Sequence, residues 1–319
     1  MLDRASRALF HLLAQSTVLK KAASRYGMRR PASFARRFIA GETVEEAIEA
    51  ARALEARHLS HTLDLLGESV TSLDRAAVAT RQYLDLLNAV VDAGIERNIS
   101  LKLTQLGLDV DTATAVDNLR KILERAEPAG FFVRVDMEGS AHTEATIDIF
   151  ETLWQHGSRQ NGIVLQSALR RSELDLQRVN ALGARVRLVK GAYREPGTIA
   201  YQQKAEVDAA YARMLKVLLT DGRYPAIATH DPAMIDLARE WARDHQVAAD
   251  RFEFQMLYGV RRDLQAALVA AGYQVRVYVP FGREWFPYFM RRLGERPANL
   301  MFVLRAVVGE SAASRSAGL

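Results

Sequence analysis

Eight short stretches rich in branched and aromatic residues recur along this 319-residue chain, each followed by a longer segment of helical character. They are HTLDLLG (61–67), ISLKL (99–103), FFVRVDM (131–137), GIVLQS (162–167), RVRLVK (185–190), AIATH (226–230), FEFQMLY (252–258) and QVRVYVP (274–280). Between them lie segments such as DNLRKILERAE and AAYARMLKVLLTDG, whose apolar residues fall at helical spacing. Strands alternating with helices imply right-handed βαβ units and a parallel sheet. Eight units in roughly 250 residues predict an α/β chain closed into a (βα)8 TIM barrel rather than an open sheet. No GxGxxG, GxxxxGK[ST] or HExxH occurs, which argues against a Rossmann or P-loop alternative.

The segment before the first strand differs in style. Residues 1–41 hold nine Lys and Arg against one acid, whereas the rest holds 34 basic and 37 acidic residues. The excess positive charge therefore lies in an N-terminal arm and not on the body, so no nucleic-acid partner is expected. The arm admits three readings: helices packed on the main domain, a surface that touches anionic lipid, or a transit peptide, whose composition it shares without a clear boundary. Next comes GETVEEAIEAARALEA, where Thr43 and Glu46 form a capping box and Ala47, Ile48, Ala51 and Leu54 an apolar stripe. This predicts the last helix before the main domain. The expected division is a helical arm over 1–57, a (βα)8 barrel over 58–310 and a flexible tail over 311–319. Cysteine is absent, which rules out disulfides, thiolate nucleophiles and cysteine-held metals, and fits a reducing compartment.

Chemistry in such a barrel sits where the strands end. The strand ends deliver Asp64 with Glu68, Lys102, Asp136 with Glu138, Gln166, Lys190, Thr229 with His230, Gln255 and Tyr278 to one rim. Two lysines, several carboxylates and a histidine suggest a small charged substrate and an anionic cofactor or phosphate. Gly191, after Lys190, lets backbone approach a bulky ligand closely. In ATHDP a helix opens at Asp231-Pro232, presenting N–H groups suited to a pyrophosphate. On these residues alone a Schiff-base enzyme with Lys102 or Lys190 as nucleophile and Asp136 as proton shuttle stays open. So does a binding barrel without catalysis.

Near the far end stands FPYFMRRLGERPAN (286–299), where an aromatic run leads into two adjacent arginines on a predicted helix. A carboxylate taken out of water needs charge-assisted donors, and a guanidinium fork supplies two parallel bonds. Helical neighbours point about 100° apart, so both can reach one anion only if it sits over that face of the helix.

The phrases SLKLTQLG, VRVDMEGS, RLVKGAYRE, ATHDP, FEFQMLYGVR and YFMRRLGERPAN together resemble proline dehydrogenase, in order from roughly residue 60 to residue 305. That family oxidises L-proline to Δ1-pyrroline-5-carboxylate, the first step of proline catabolism to glutamate. The length resembles its short monofunctional bacterial form. The resemblance implies a distorted (βα)8 barrel binding FAD, with the eighth helix over the mouth. It implies that Arg291 and Arg292 clamp the proline carboxylate and that Lys102 adds a third cationic contact. Tyr278 and Tyr288 would wall the pyrrolidine ring, with Leu188 packing beneath. Asp136 would organise the cationic cluster, Glu68 would pair with the first arginine, and Arg187 would hydrogen-bond flavin N5. Met137, Gln166, Val189, Lys190, Gly191, Ala192, Thr229, His230 and Glu295 would contact FAD. Arg194 stands where the bifunctional relatives tend to carry tryptophan. The family passes its electrons to a membrane quinone, and its product goes to a pyrroline-5-carboxylate dehydrogenase, here a separate protein. A cytoplasmic body, peripheral at the inner face of the cell membrane, follows from that expectation.

Overall fold

The computed structural model describes Met28 and residues 34–294, with the side chains of residues 293 and 294 left out. Most of the expected arm, the expected tail and Glu295 lie outside the described residues.

A single turn of 3-10 helix, Phe34–Arg37, precedes α1, Val44–Glu55. Both hydrogen bonds of the Thr43–Glu46 capping box are present at the start of α1. The buried Ala47, Ala51 and Leu54 of α1 belong to the same apolar core as the barrel strands.

Eight parallel strands then close on themselves: β1 Ser60–Leu65, β2 Asn98–Leu101, β3 Phe132–Val135, β4 Asn161–Gln166, β5 Arg185–Val189, β6 Ala226–Ala228, β7 Glu253–Leu257 and β8 Gln274–Phe281. Closure is made by β1 against β8, in register from Ser60 opposite Arg276 to Leu65 opposite Phe281. The helices that follow the strands are α2 Leu73–Ala93, α3 Thr112–Ala126, α4 Ser140–Gln155, α5 Ser172–Ala181, α6 Lys204–Asp221, α7 Pro232–Asp244, α8 Arg262–Ala270 and α9 Trp285–Gly294. Local chemistry explains several helix starts. Ser72, Asp111 and Asp231 each accept a backbone N–H at an N-cap, and Pro232 occupies the first turn of α7. Strand β6 stops two residues short of the expected AIATH because Thr229 and His230 already turn toward the Asp231 cap.

The pleat separates two environments. Leu63, Ile99, Val133, Ile163, Val186, Leu188, Phe254, Met256, Val275 and Val277 face the helices and are all buried. This ring between sheet and helices is the hydrophobic core. The alternate residues point down the axis, which is charged: Asp64, Ser100, Arg134, Asp136, Arg187, Glu253, Gln255, Arg276 and Tyr278. A TIM barrel more often fills its axis with branched apolar layers. Gly162 makes room for this cargo, since a Cβ there would lie 2.5 Å from Arg134 Nη1 and 2.8 Å from the Phe132 ring.

A second apolar cluster lies over the β1–β8 side of the mouth. Trp285, Phe286, Tyr288, Phe289 and Met290 of α9 pack with Phe38, Ile39 and Leu66. Trp285 also donates its indole N–H to Glu42 at 2.9 Å. The α9 helix is thus held as a roof by the segment that enters the barrel.

Candidate active site

Six side chains, from β1, β2, β5, β8 and the turns after β2 and β3, meet on the axis under this roof. Lys102 Nζ lies 3.0 and 3.3 Å from the two oxygens of Asp64, 3.5 Å from Asp136 and 3.4 Å from the Tyr278 hydroxyl. Tyr278 donates to Asp136 Oδ2 at 2.9 Å, Ser100 donates to Oδ1 at 2.7 Å, and Arg187 Nη1 donates to Oδ1 at 2.8 Å. The Arg187 guanidinium also sits 5.3 Å from the centroid of the Tyr278 ring.

Two carboxylates share one lysine, and their surroundings push them apart. Asp64 is wholly buried, so desolvation raises its pKa although Lys102 pulls it down. Asp136 suffers the same desolvation, but Lys102, Arg187, Ser100 and Tyr278 together hold it below the usual carboxylate range. Burial alone would lower the Lys102 pKa, but Asp64 and Asp136 raise it well above the ordinary lysine value. With its Nζ already donating to Asp64, Asp136 and the Tyr278 hydroxyl, Lys102 is held as a cation, which disfavours the Schiff-base reading there. Tyr278 stays a neutral donor, because burial first and Asp136 next push its phenol up.

Above this cluster α9 places its two arginines on different flanks. Arg291 makes a bidentate pair with Glu68, Nη1 to Oε1 at 2.6 Å and Nη2 to Oε2 at 3.0 Å. Arg291 lines a cavity of about 870 Å³ together with Glu68, Lys102, Gln105 and Tyr288. Arg292 lies 5.2 Å from the Tyr288 ring and lines a second cavity, of about 440 Å³, with His230, Leu257 and Arg262. A shared anion would have to sit on the ridge between them.

The other side of the mouth is built from β3 to β6. Gln166 donates its amide to the Glu138 carbonyl at 2.8 Å, and Met137 is buried nearby. Val189 points toward the axis and is half buried, while Gly191 and Ala192 are exposed. Gly191 adopts φ +115°, and a Cβ there would press on Gln166 Oε1 and Ala168 at 3.2 Å, so only glycine fits comfortably. Lys190 bridges Asp208 at 2.5 Å and Asp231 at 2.6 Å. Thr229 Oγ1 accepts from the Asp231 N–H, and His230 Nε2 accepts from the Leu257 N–H at 2.9 Å, which puts the ring proton on Nδ1. One of the N–H groups expected for a pyrophosphate, that of Ala233, is occupied by the Asp231 cap.

Leu188, expected to pack beneath the substrate ring, is completely buried in the layer between sheet and helices: its neighbour Arg187 faces the axis, so the pleat turns Leu188 outward. Other participants carried no role in the motif reading. Ser100 reaches Asp136 from one pleat lower on β2. Tyr193, inside the RLVKGAYRE phrase, is pushed up to about 12 by burial, with Arg291, Glu68, Glu138 and Lys102 around it. Burial also raises the Glu138 carboxyl, although Thr104 donates to it from both N–H and hydroxyl. The position of Tyr193 in a strand-end loop could have flagged it; nothing local could have flagged Ser100.

Known proteins resemble this chain over most of its length. The sequence profile described as Proline dehydrogenase matches residues 47–305. Proline dehydrogenase 2 of Bacillus subtilis is 39% identical over 305 residues, covering 95% of this chain and 98% of the relative. Proline dehydrogenase of Deinococcus radiodurans is 41% identical over 280 residues, 86% of this chain and 90% of the relative. Among solved structures, proline utilization A from Bdellovibrio bacteriovorus, inactivated by N-propargylglycine, superposes with a TM-score of 0.76 at 28% identity. That match covers 81% of this chain and 32% of the longer polypeptide. With its closed parallel barrel, its roofed ionic mouth and relatives matched over nearly their whole length, the chain belongs to the proline dehydrogenase family.

Proposed function

We propose that this proline dehydrogenase oxidises L-proline at C5 to Δ1-pyrroline-5-carboxylate, with FAD as the hydride acceptor and a quinone as the final oxidant. The observation that carries the reading is the mouth itself: an anion-seeking rim of Lys102, Arg291 and Arg292 beside the rings of Tyr278 and Tyr288. Proline presents the complementary surface, a carboxylate on a rigid apolar ring.

The residues on the β4–β6 side suit a flavin nucleotide. The exposed backbone at Gly191 and Ala192 offers a cradle that a side chain at 191 would fill. Lys190 and His230 supply polar groups beside it, although an anion there competes with Asp208 and Asp231 for Lys190. Met137, Gln166, Arg187, Val189, Lys190, Gly191, Ala192, Thr229 and His230 would hold the cofactor. Bound FAD supplies the two-electron acceptor that a barrel of ordinary side chains lacks.

The chain's own contribution is alignment. Arg291, Arg292 and Lys102 would fix the carboxylate, and Tyr278 and Tyr288 would shield the ring from water. Holding the substrate in one pose turns a chance encounter into a near-attack geometry. Asp136 keeps Lys102, Arg187 and Tyr278 at set distances, so the cations do not drift apart when the mouth fills. Glu68 holds Arg291 at the rim, and its pair would open and re-form as substrate passes. Among the described residues no helix is long and apolar enough to cross a membrane. The imine product would pass to a separate pyrroline-5-carboxylate dehydrogenase.

The purified protein is expected to be yellow and to bleach when L-proline is added without oxygen. A colourless protein, or colour that persists under proline, would end the proposal. Glu68→Ala tests the rim: the half-buried bidentate pair contributes about 1 kcal/mol, so KM for proline should rise roughly fivefold. Flavin content should not change; loss of colour in that variant would assign Glu68 to folding instead.

A further inference from the structure

Below the mouth the barrel axis holds charges that the reaction described above does not touch. Arg276 on β8 donates Nε to the two oxygens of Glu253 at 2.9 and 3.0 Å, and pairs with Glu96 at 2.7 Å on its other side. Glu253 also accepts from the side-chain amide of Gln255, two residues up the same strand. The carbonyl end of that amide, Oε1, accepts from Arg187 Nε at 2.6 Å. A line of hydrogen bonds thus runs from the floor of the barrel through Glu253, Gln255 and Arg187 to Asp136.

The amide in the middle of that line has two possible orientations. An ionised carboxylate only accepts, and a guanidinium only donates. With Glu253 on one side and Arg187 on the other, one orientation satisfies both and its flip satisfies neither. Desolvation pushes the Glu253 carboxyl up, but Arg276 beside it and the Gln255 amide bring it below its usual range, so it stays a pure acceptor.

The consequence falls on Arg187. Its Nε is held by Gln255, and its Nη1 by Asp136 at 2.8 Å and Ser100 at 3.3 Å. Two held nitrogens fix the plane of the guanidinium. Among the described residues no hydrogen bond reaches Nη2, so that nitrogen keeps its donors for a ligand.

We propose that Glu253 is a positioning residue for proline oxidation: by setting the orientation of the Gln255 amide it holds Arg187 in the plane that offers Nη2 to the mouth. The proposal rests on the reading of the mouth as a flavin and proline site. Glu253→Gln removes the charge without changing volume, and Arg276 keeps Glu96. Gln255→Met removes the acceptor while leaving the Glu253–Arg276 pair intact.

In the FAD-loaded enzyme each variant is expected to lower kcat for L-proline about tenfold, the cost of a small misplacement at the reacting centre. KM should stay within about twofold, since the carboxylate contacts lie on other residues. The midpoint potential of the bound flavin should fall in both variants, because a displaced cation stabilises the electron-rich reduced ring less. In an Arg187→Met background, adding Glu253→Gln should cost less than about twofold more, as expected for a residue that acts through Arg187. Wild-type kcat and potential in both variants would overturn the proposal, as would a full tenfold loss on top of Arg187→Met. Should Glu253→Gln not fold, Gln255→Met decides by the same two readouts. A wild-type protein that does not oxidise proline would instead remove the reading beneath it.

Discussion

Replacing Lys102 with methionine is expected to destabilise the barrel by about 3–5 kcal/mol at neutral pH and to stop proline turnover. The side chain volumes are similar, so the loss is electrostatic. Asp64 is fully buried and its oxygens lie 3.0 and 3.3 Å from Lys102 Nζ, so without the lysine an ionised carboxylate is left in the barrel facing Asp136. The variant can escape part of the cost by protonating Asp64, whose pKa is already raised by burial. A carboxyl whose folded pKa lies above its unfolded value favours the folded state below that pKa and loses the advantage as pH rises through it. The deficit against wild type should therefore be larger at pH 8 than at pH 5, measured by urea unfolding. Adding Asp64→Asn should restore much of the stability but not the turnover. Equal stability of Lys102→Met and wild type at both pH values would show that the Lys102–Asp64 contact carries no net energy.

The double substitution of Arg291 and Arg292 by methionine is expected to lower kcat/KM for proline by at least about a hundredfold. Two charge-assisted bonds to one carboxylate, worth roughly 1.5–3 kcal/mol each, predict a loss of that size or more. The single changes should not simply add. Arg291 already spends its fork on Glu68, whereas Arg292 lies against the Tyr288 ring and lines the other cavity. Arg291→Met therefore removes a substrate contact and the rim pair together, and its defect should shrink when Glu68 is also changed to alanine. A double variant with wild-type kcat/KM would mean that the arginines are merely a solvated basic face.

Much of the scaffold was legible before any coordinates. Eight apolar stretches separated by helical segments correspond to eight parallel strands, each within a few residues of its expected limits, because strand and helix periods differ and are local. The capping box at Thr43 needed only three residues of spacing. The motifs and strand ends singled out Lys102, Asp136, Arg187, Tyr278 and the α9 arginines; the first four meet on the axis, and the arginines line two cavities above it. The contacts themselves were another matter. Lys102 meets Tyr278 across 176 residues of chain, and no local pattern states which of several carboxylates a given lysine will choose.

Periodicity, motif order and the residues at strand ends by themselves determined a closed barrel with ionisable groups at its strand ends, and the family to which it belongs. The tertiary structure alone decided which way each strand's pleat faces, and with it that Leu188 belongs to the helix layer while Arg187 belongs to the axis. It also decided that Glu68 takes Arg291, that the two arginines open on separate cavities, and that a charged line descends from Asp136 to Arg276. The reason is physical: alternation along a strand is written in the sequence, but hydrogen-bond partners across a barrel depend on register and closure, which the chain settles only when all eight strands are in place.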